Sequence, residues 1–215
     1  MVQRDVRELA NIDGLIALPR LLALVASRPM ATLNAADLAR HGGLPQTTLK
    51  RYLALLETAM LVQTLPAWFV NIGKRLAKAP KVWIVDAGLA AHLQGLDAAR
   101  LRQDRAPFGP LLENFVVEEL KKHIGWSVAQ PRAFHLRTAD GTEVDVVLER
   151  TSGQIVGVEV KSAQSVAAHD FKGLRVLADS AGRRFHRGVV LYTGTDVVPF
   201  GANLHAVPIE ALWRW

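Results

Sequence analysis

The chain has 215 residues, half of them apolar, no cysteine and a formal net charge of +6. This is enough apolar chain for two small folding units and argues against disorder. The lack of cysteine excludes disulfides, thiolate metal sites and cysteine nucleophiles, which fits a reducing cytoplasm; any metal must be held by oxygen or histidine.

No apolar run reaches the roughly 18 residues needed to span a bilayer, and the start, MVQRDVRELA, has no signal-peptide core. The expectation is a cytoplasmic chain. Its charge is uneven: residues 1–100 hold 12 basic and 7 acidic side chains, residues 101–215 hold 14 and 13. A basic first half suits a polyanionic partner.

Residues 4–28 predict a short helix, a break near Asn11 to Gly14, and a second helix with Leu18, Leu21, Leu22 and Val25 at helical spacing. Asn34 is placed to cap a helix running through Asp37 to Arg40. HGGL, residues 41–44, is a tight turn, and Pro45 or Gln46 opens a helix with Leu49, Tyr52, Leu53 and Leu56 on its inner stripe. This is a helix-turn-helix pattern. Its outward face offers Gln46, Thr47, Lys50 and Arg51 near the helix start, where a recognition helix meets base edges and phosphates.

Met60 to Pro66 and Lys81 to Val85 predict strands, and the segment between them carries Lys74, Arg75 and Lys78. Together these elements predict a winged helix over residues 1–97 with a basic wing. Such a unit either contacts DNA, here through Lys50, Arg51, Lys74 and Arg75, or acts as a connector or protein-binding module. After the second strand, Asp86 is a natural cap for a short helix. His41 and His92 have no partner at ligand spacing and read as structural. Charged residues around Pro107 mark the boundary to a second domain, residues 98–215.

A helix from Gly109 to about His123 places Leu112, Val116, Val117, Leu120 and Ile124 on one stripe, with Glu113 inside it. An inward carboxylate needs a partner, because burying it alone costs several kcal/mol. The alternatives are the charged face of the hairpin that follows, or a salt bridge to a basic side chain.

That hairpin is Thr142 to Lys161, TEVDVVLERTSGQIVGVEVK. Ser152-Gly153 supplies the turn, so residues whose numbers sum to 304 should lie opposite each other, Asp145 facing Glu159 and Glu143 facing Lys161. Even positions from Val144 to Val160 form an apolar face, and the charges share the odd face, with Gly157 opposite Val147 leaving space beside them. Cross-strand Cβ atoms lie about 5 Å apart, where two carboxylates repel by roughly 3 kcal/mol at an effective dielectric of about 20. A proton, Lys161 or a metal must offset that repulsion, and a hydrated Mg²⁺ held by one or two carboxylates suits the arrangement. A solvated charged sheet face is the alternative.

Beyond the hairpin, the segment from about Ala167 to Leu177 predicts a helix with Phe171, Leu174 and Leu177 inward and His169, Lys172 and Arg175 available to a phosphate. Arg183, Arg184 and Arg187 precede a strand over residues 188–193, and residues 204–215 add a strand and a Trp-rich end.

D-x13-E-x-K across two adjacent strands resembles the PD-(D/E)XK signature of the restriction-endonuclease-like superfamily, with Val144 standing where the usual Pro would be. KAPKVWIVDAGLAAHL, GPLLENFVVEEL, VGVEVKS and HDFKGLRVL extend the likeness along nearly the whole chain. Together they resemble the C-terminal region of a prokaryotic family in which an AAA-type ATPase module precedes a winged helix and a restriction-endonuclease-like domain. This chain contains no G-x-x-x-x-G-K-[ST].

The resemblance implies an α/β chain, a winged helix followed by a mixed-sheet nuclease-like domain. It implies a Mg²⁺-dependent DNA phosphodiester hydrolase site in which Asp145, Glu159 and Glu113 hold the metal and Lys161 positions the attacking water. An ATPase module would be its partner. The competing expectation is a non-catalytic DNA- or protein-interaction domain of such an ATPase, in a setting such as a defence or toxin-antitoxin system.

Overall fold

A computed structural model describes residues 17–214, and the side chains of Ile72, Lys74 and Ala77 are also outside the described set. The helix and break expected over residues 4–14 lie outside the described residues. Among the described residues the architecture is mixed α/β, with a two-stranded pair, a six-stranded sheet and helices. The described chain folds as two compact units, one of residues 17–64 and 79–114, the other of residues 65–78 and 115–214.

In the first unit, α1 (Leu18–Ala26) carries Pro19 in its first turn, where a fixed φ is suited, and buries Leu18, Leu21, Leu22 and Val25. The next helix, α2 (Ala35–Gly42), is capped by the Asn34 side chain, which accepts from the Asp37 amide at 3.0 Å. It ends at Gly43, whose φ of 65° is the left-handed stop that glycine adopts without strain. Then α3 (Gln46–Thr58) buries Leu49, Tyr52, Leu53 and Leu56, the stripe expected from their spacing.

Strand β1 (Val62–Leu65) pairs with β2 (Lys81–Ile84). The segment between them contains α4 (Ile72–Ala77). Asp86 and Asp97 cap α5 (Ala87–Leu93) and α6 (Ala98–Gln103) by accepting from the Leu89 and Arg100 amides. The first turns of α7 (Phe108–Trp126) belong to this unit. There the Asn114 side chain, fully buried, bonds both the N–H and the C=O of Ile84, at 3.1 and 2.9 Å. A side-chain amide standing in for a neighbouring strand satisfies backbone groups that would otherwise be costly to bury.

The second unit is built on the order β3-β4-β5-β6-β8-β7. Its strands are β3 (Arg132–Arg137), β4 (Glu143–Glu149), β5 (Ile155–Lys161), β6 (Phe185–Tyr192), β7 (Val198–Gly201) and β8 (Leu204–Pro208). The meander β3-β4-β5 is antiparallel, while β5, β6 and β8 run parallel. A parallel step needs a crossover, and between β5 and β6 it is a 3₁₀ turn, Ala168–Phe171, followed by α8 (Lys172–Ala181). The 3₁₀ turn occupies the first part of the helix expected from Ala167. The buried face of this crossover, Phe171, Leu174 and Leu177, covers the sheet with Val144, Val147 and Ile155.

The basic wing expected over residues 67–78 is not built. That segment belongs to the second unit, where the His135 amide donates to the Pro66 carbonyl at 2.9 Å and the Trp68 amide donates to the His135 carbonyl at 2.6 Å. Trp68, 1% exposed, then joins the core beneath the sheet. An indole of that size buries more apolar surface than any neighbour in the segment, and this outweighs the local preference for an exposed basic loop. Residues 65–78 and 79–114 thus belong to different compact units.

Candidate functional site

The hairpin pairs in the expected register, Val146 with Val158, Val147 with Gly157, Leu148 with Val156 and Glu149 with Ile155. The strict two-faced alternation does not survive. Pairing of β3 with β4 shifts between Phe134 and Leu136, so β4 carries an extra residue there, and Val144 enters the same buried cluster as Val147 and Ile155. An extra residue in one strand reverses which side the following positions face, a device that re-aims side chains beside sites.

The bulge takes in Asp145. Its side chain accepts from the Val160 amide at 2.9 Å, so the carboxylate rather than a β4 carbonyl satisfies that N–H, and the residue is 7% exposed. Gly157 does not leave open space. A Cβ there would lie 2.6 Å from Leu174 and 2.7 Å from Leu177, so the glycine lets α8 pack close.

Glu159 and Lys161 follow at the end of β5, where Lys161 Nζ lies 3.1 Å from Glu159 and 4.0 Å from Asp170. Burial pushes Lys161 down, but the carboxylates of Glu159, Asp145 and Asp170 outweigh it and raise its pKa above the ordinary lysine value. The lysine therefore stays charged. It does not pair with Glu143, whose partner is Arg137 at 2.5 Å.

Glu159 and Lys161 open onto a cleft of about 310 Å³ between the β3–β4 turn and the start of α8, also lined by Asp140, Glu143, Asp170 and Lys172. Hydroxyls of Thr138 and Thr142 donate to Asp140 and hold its carboxyl below the usual range. With four carboxylates against Lys161 and Lys172 along its lining, the cleft carries an excess of acidic groups. Its far wall depends on Gly173, because a Cβ there would lie 2.0 Å from the Glu143 carbonyl oxygen. Asp170 and Gly173 were not singled out from the sequence; the only local signal is the run HDFKG just past the hairpin.

Glu113 lies in the first unit, where it accepts from Lys81 at 2.7 Å, the lysine being 3% exposed. Of the two partners open to an inward carboxylate, the salt bridge is the one formed. Among the described residues no group of three or more histidine, cysteine, aspartate or glutamate side chains is arranged to hold a metal ion. Two carboxylates, Asp145 and Glu159, remain. One or two carboxylates with waters are what Mg²⁺ uses, so the donor set suits that ion and not an all-protein cage.

Of the expected DNA contacts, Lys50 and Arg51 are exposed on α3, as are Gln46 and Thr47. Arg75 is not available. It is 9% exposed, donates to both Glu149 oxygens at 2.5 and 3.0 Å and to the Phe69 carbonyl at 2.5 Å, and lies over the Trp68 and Phe134 rings. The side chain of Lys74 lies outside the described residues. No helix among the described residues is long and apolar enough to cross a membrane.

Two curated relatives are each 31% identical over 213 residues, 98% of this chain: the uncharacterized proteins Mb2031c of Mycobacterium bovis and Rv2008c of Mycobacterium tuberculosis. The chain spans 46% of each, about half the length of these relatives. Among solved structures, the McrB AAA+ hexamer assembly with bound McrC from Thermococcus gammatolerans gives a TM-score of 0.33 at 11% identity, covering 88% of this chain and 70% of that one. A likeness that slight carries no argument. Residues 108–212 match the family model of DUF4143, a domain of unknown function, and residues 1–100 match that of DUF8612, also a domain of unknown function.

Proposed function

We propose that the chain is a DNA-binding module whose second unit carries a Mg²⁺-dependent phosphodiester hydrolase site of the PD-(D/E)XK kind, working with an ATPase module in a longer protein. The observation that carries this reading is the cleft end of β4 and β5. It has a carboxylate bonded to the Val160 amide, a second carboxylate, and a charged lysine two residues on.

Asp145 and Glu159 would hold the metal, with the Val160 carbonyl beside them. The ion would supply Lewis-acid stabilisation of the phosphate and a lowered pKa for bound water. The Val160 bond fixes the Asp145 rotamer, so this donor is positioned before any ligand arrives. Lys161, held by Glu159, would stand beside the attacking water and offset charge building on the phosphate oxygens. Lys50 and Arg51 would hold duplex backbone on the first unit, which we read as a winged helix whose strands lack a basic wing.

The competing reading is a binding module in which Lys161 is only the counter-ion of Glu159. Its support is the 3.1 Å bond between them. One experiment separates the two: Mg²⁺-dependent cleavage of supercoiled and single-stranded DNA by wild type and Lys161→Ala, in this chain and in a full-length protein of the relatives' size. A catalytic lysine gives cleavage that vanishes in the variant while the melting temperature stays within about 2 °C. Equal cleavage by both removes the assignment, and no cleavage by the full-length protein leaves a binding module.

A further inference from the structure

The second unit carries its charge in two separated places. Asp145, Glu159 and the acidic cleft lie at the start of β4 and the end of β5, whereas the opposite end of the same sheet is a row of arginines. Strand register places them at one end of the sheet, Arg187 on the face opposite Arg132: Arg132 pairs with Glu149, Glu149 with Ile155, Ile155 with Phe185, and Val156 with Arg187. Arg150 follows β4 directly, and Arg183 and Arg184 precede β6. From Ile155 to Glu159 is four residues of strand, about 13 Å at about 3.3 Å each.

Glu149, 5% exposed, is the carboxylate at this end, and it is engaged by Arg75 from beneath and by Arg132 and Arg184 at 3.5 Å. Counting Arg75, six arginines among the described residues lie at this end of the sheet around Glu149. The half of the chain from residue 101 is nearly balanced, with 14 basic and 13 acidic side chains. Setting aside Arg132, Arg150, Arg183, Arg184, Arg187 and Glu149 leaves it nine basic and twelve acidic. The balance is therefore a segregation, not a neutral surface.

We propose that this arginine edge is a second DNA-binding surface, gripping the phosphate backbone of duplex DNA at the end of the sheet away from the cleft. The residue type fits the partner, since the planar guanidinium forks onto phosphate oxygens and loses less hydration than an ammonium. The forks are also preorganised. Arg132 lies over Phe134, Arg184 lies over Trp68 with its Cδ 3.6 Å from where a Gly153 side chain would begin, and Arg150 bonds Gln154 at 3.2 Å. From β3 to β6 the row crosses three strand spacings, about 14 Å, a span that takes in several phosphates on a duplex bearing one charge per about 1.7 Å of axis. The inference rests on the nucleic-acid reading above and not on cleavage.

The test is anisotropy of a labelled duplex in EDTA, where no metal-dependent step occurs, across about 50–200 mM salt. Wild type is compared with the triple variant Arg132→Gln, Arg150→Gln, Arg187→Gln, and with Lys50→Gln, Arg51→Gln. Each lost phosphate contact flattens the log-log slope by about 0.9, so the triple variant should lose about 2.7, with Lys50 and Arg51 accounting for a separate loss. Arg75 is left intact because it holds Glu149 through two hydrogen bonds, and Arg184 so that Glu149 keeps a second partner once Arg132 is changed. Should the triple variant unfold, Arg150→Gln and Arg187→Gln singly should each cost about 0.9. An unchanged slope, absence of binding at the lowest salt, or displacement of wild type by poly-glutamate as readily as by duplex overturns the proposal. Loss confined to the Lys50 and Arg51 variant does so too, while leaving the first unit as the DNA contact.

Discussion

Replacing Arg75 with alanine should loosen the second unit's hold on residues 65–78. In the folded chain its guanidinium bonds both oxygens of Glu149, with side-chain exposures of 9% and 7%. Removing one partner of a buried pair costs about 3–5 kcal/mol, because the other charge is left desolvated. Arg132 and Arg184 remain 3.5 Å from Glu149 and keep the cost at the low end of that range. Loss of the stacking on the Phe134 and Trp68 rings, at 5.0 and 5.6 Å, adds about 0.5–1 kcal/mol each. The total is about 4 kcal/mol. With an m-value of about 2 kcal/mol/M in urea, the midpoint should fall by about 2 M, read by tryptophan fluorescence.

The same pair predicts a pH dependence. The Arg75 hydrogen bond holds the Glu149 carboxyl below its ordinary value of 4.5, against the opposing effect of burial. A depressed carboxyl contributes stability that is fully present above the unfolded value and is lost as pH falls through the folded one. Wild type should therefore keep its advantage over Arg75→Ala at neutral pH and lose it in acid, below 4.5. A loss under about 1 kcal/mol at neutral pH, or a difference independent of pH down to about 3, would refute the reasoning. DNA affinity of Arg75→Ala, measured where it is still folded, should keep the wild-type salt slope.

Two further outcomes concern the cleft. Gly173→Ala should destabilise by about 3 kcal/mol, since the new methyl overpacks against the Glu143 carbonyl; a melting temperature unchanged within about 2 °C would mean that α8 does not press on β4 as described. Asp145→Asn keeps an oxygen for the Val160 amide and should stay folded, yet lose the heat of Mn²⁺ binding in calorimetry, as should Glu159→Gln. Equal heats in wild type and both variants would remove the metal site from this cleft.

Much of the first unit was legible because its signals are local. Asn34, Gly43 and the stripe Leu49, Tyr52, Leu53 and Leu56 each act within a few residues, so caps and helical period mark the helices directly. The hairpin register was legible for the same reason, Ser152-Gly153 being a short turn that sets which residues face each other. The role of Gly157 was not, because the side chains that need its missing Cβ, Leu174 and Leu177, come from the crossover helix and not from the hairpin. Nor was the β4 bulge, whose cause lies in pairing with β3.

The charged residues divide in the same way. Sequence alone determined that Asp145, Glu159 and Lys161 would come to one end of a hairpin, since strand period and turn placement are properties of neighbours along the chain. Only the tertiary structure decided what partners the other charges take. Arg75 and Glu113 both sit in segments that read as functional, one as a basic wing and one as a third carboxylate. Each is instead engaged in an ion pair, with Glu149 and Lys81 respectively. The physical reason is that a buried charge must be matched by whichever opposite charge the fold brings within about 3 Å, and that partner lies 74 residues away in one case and 32 in the other.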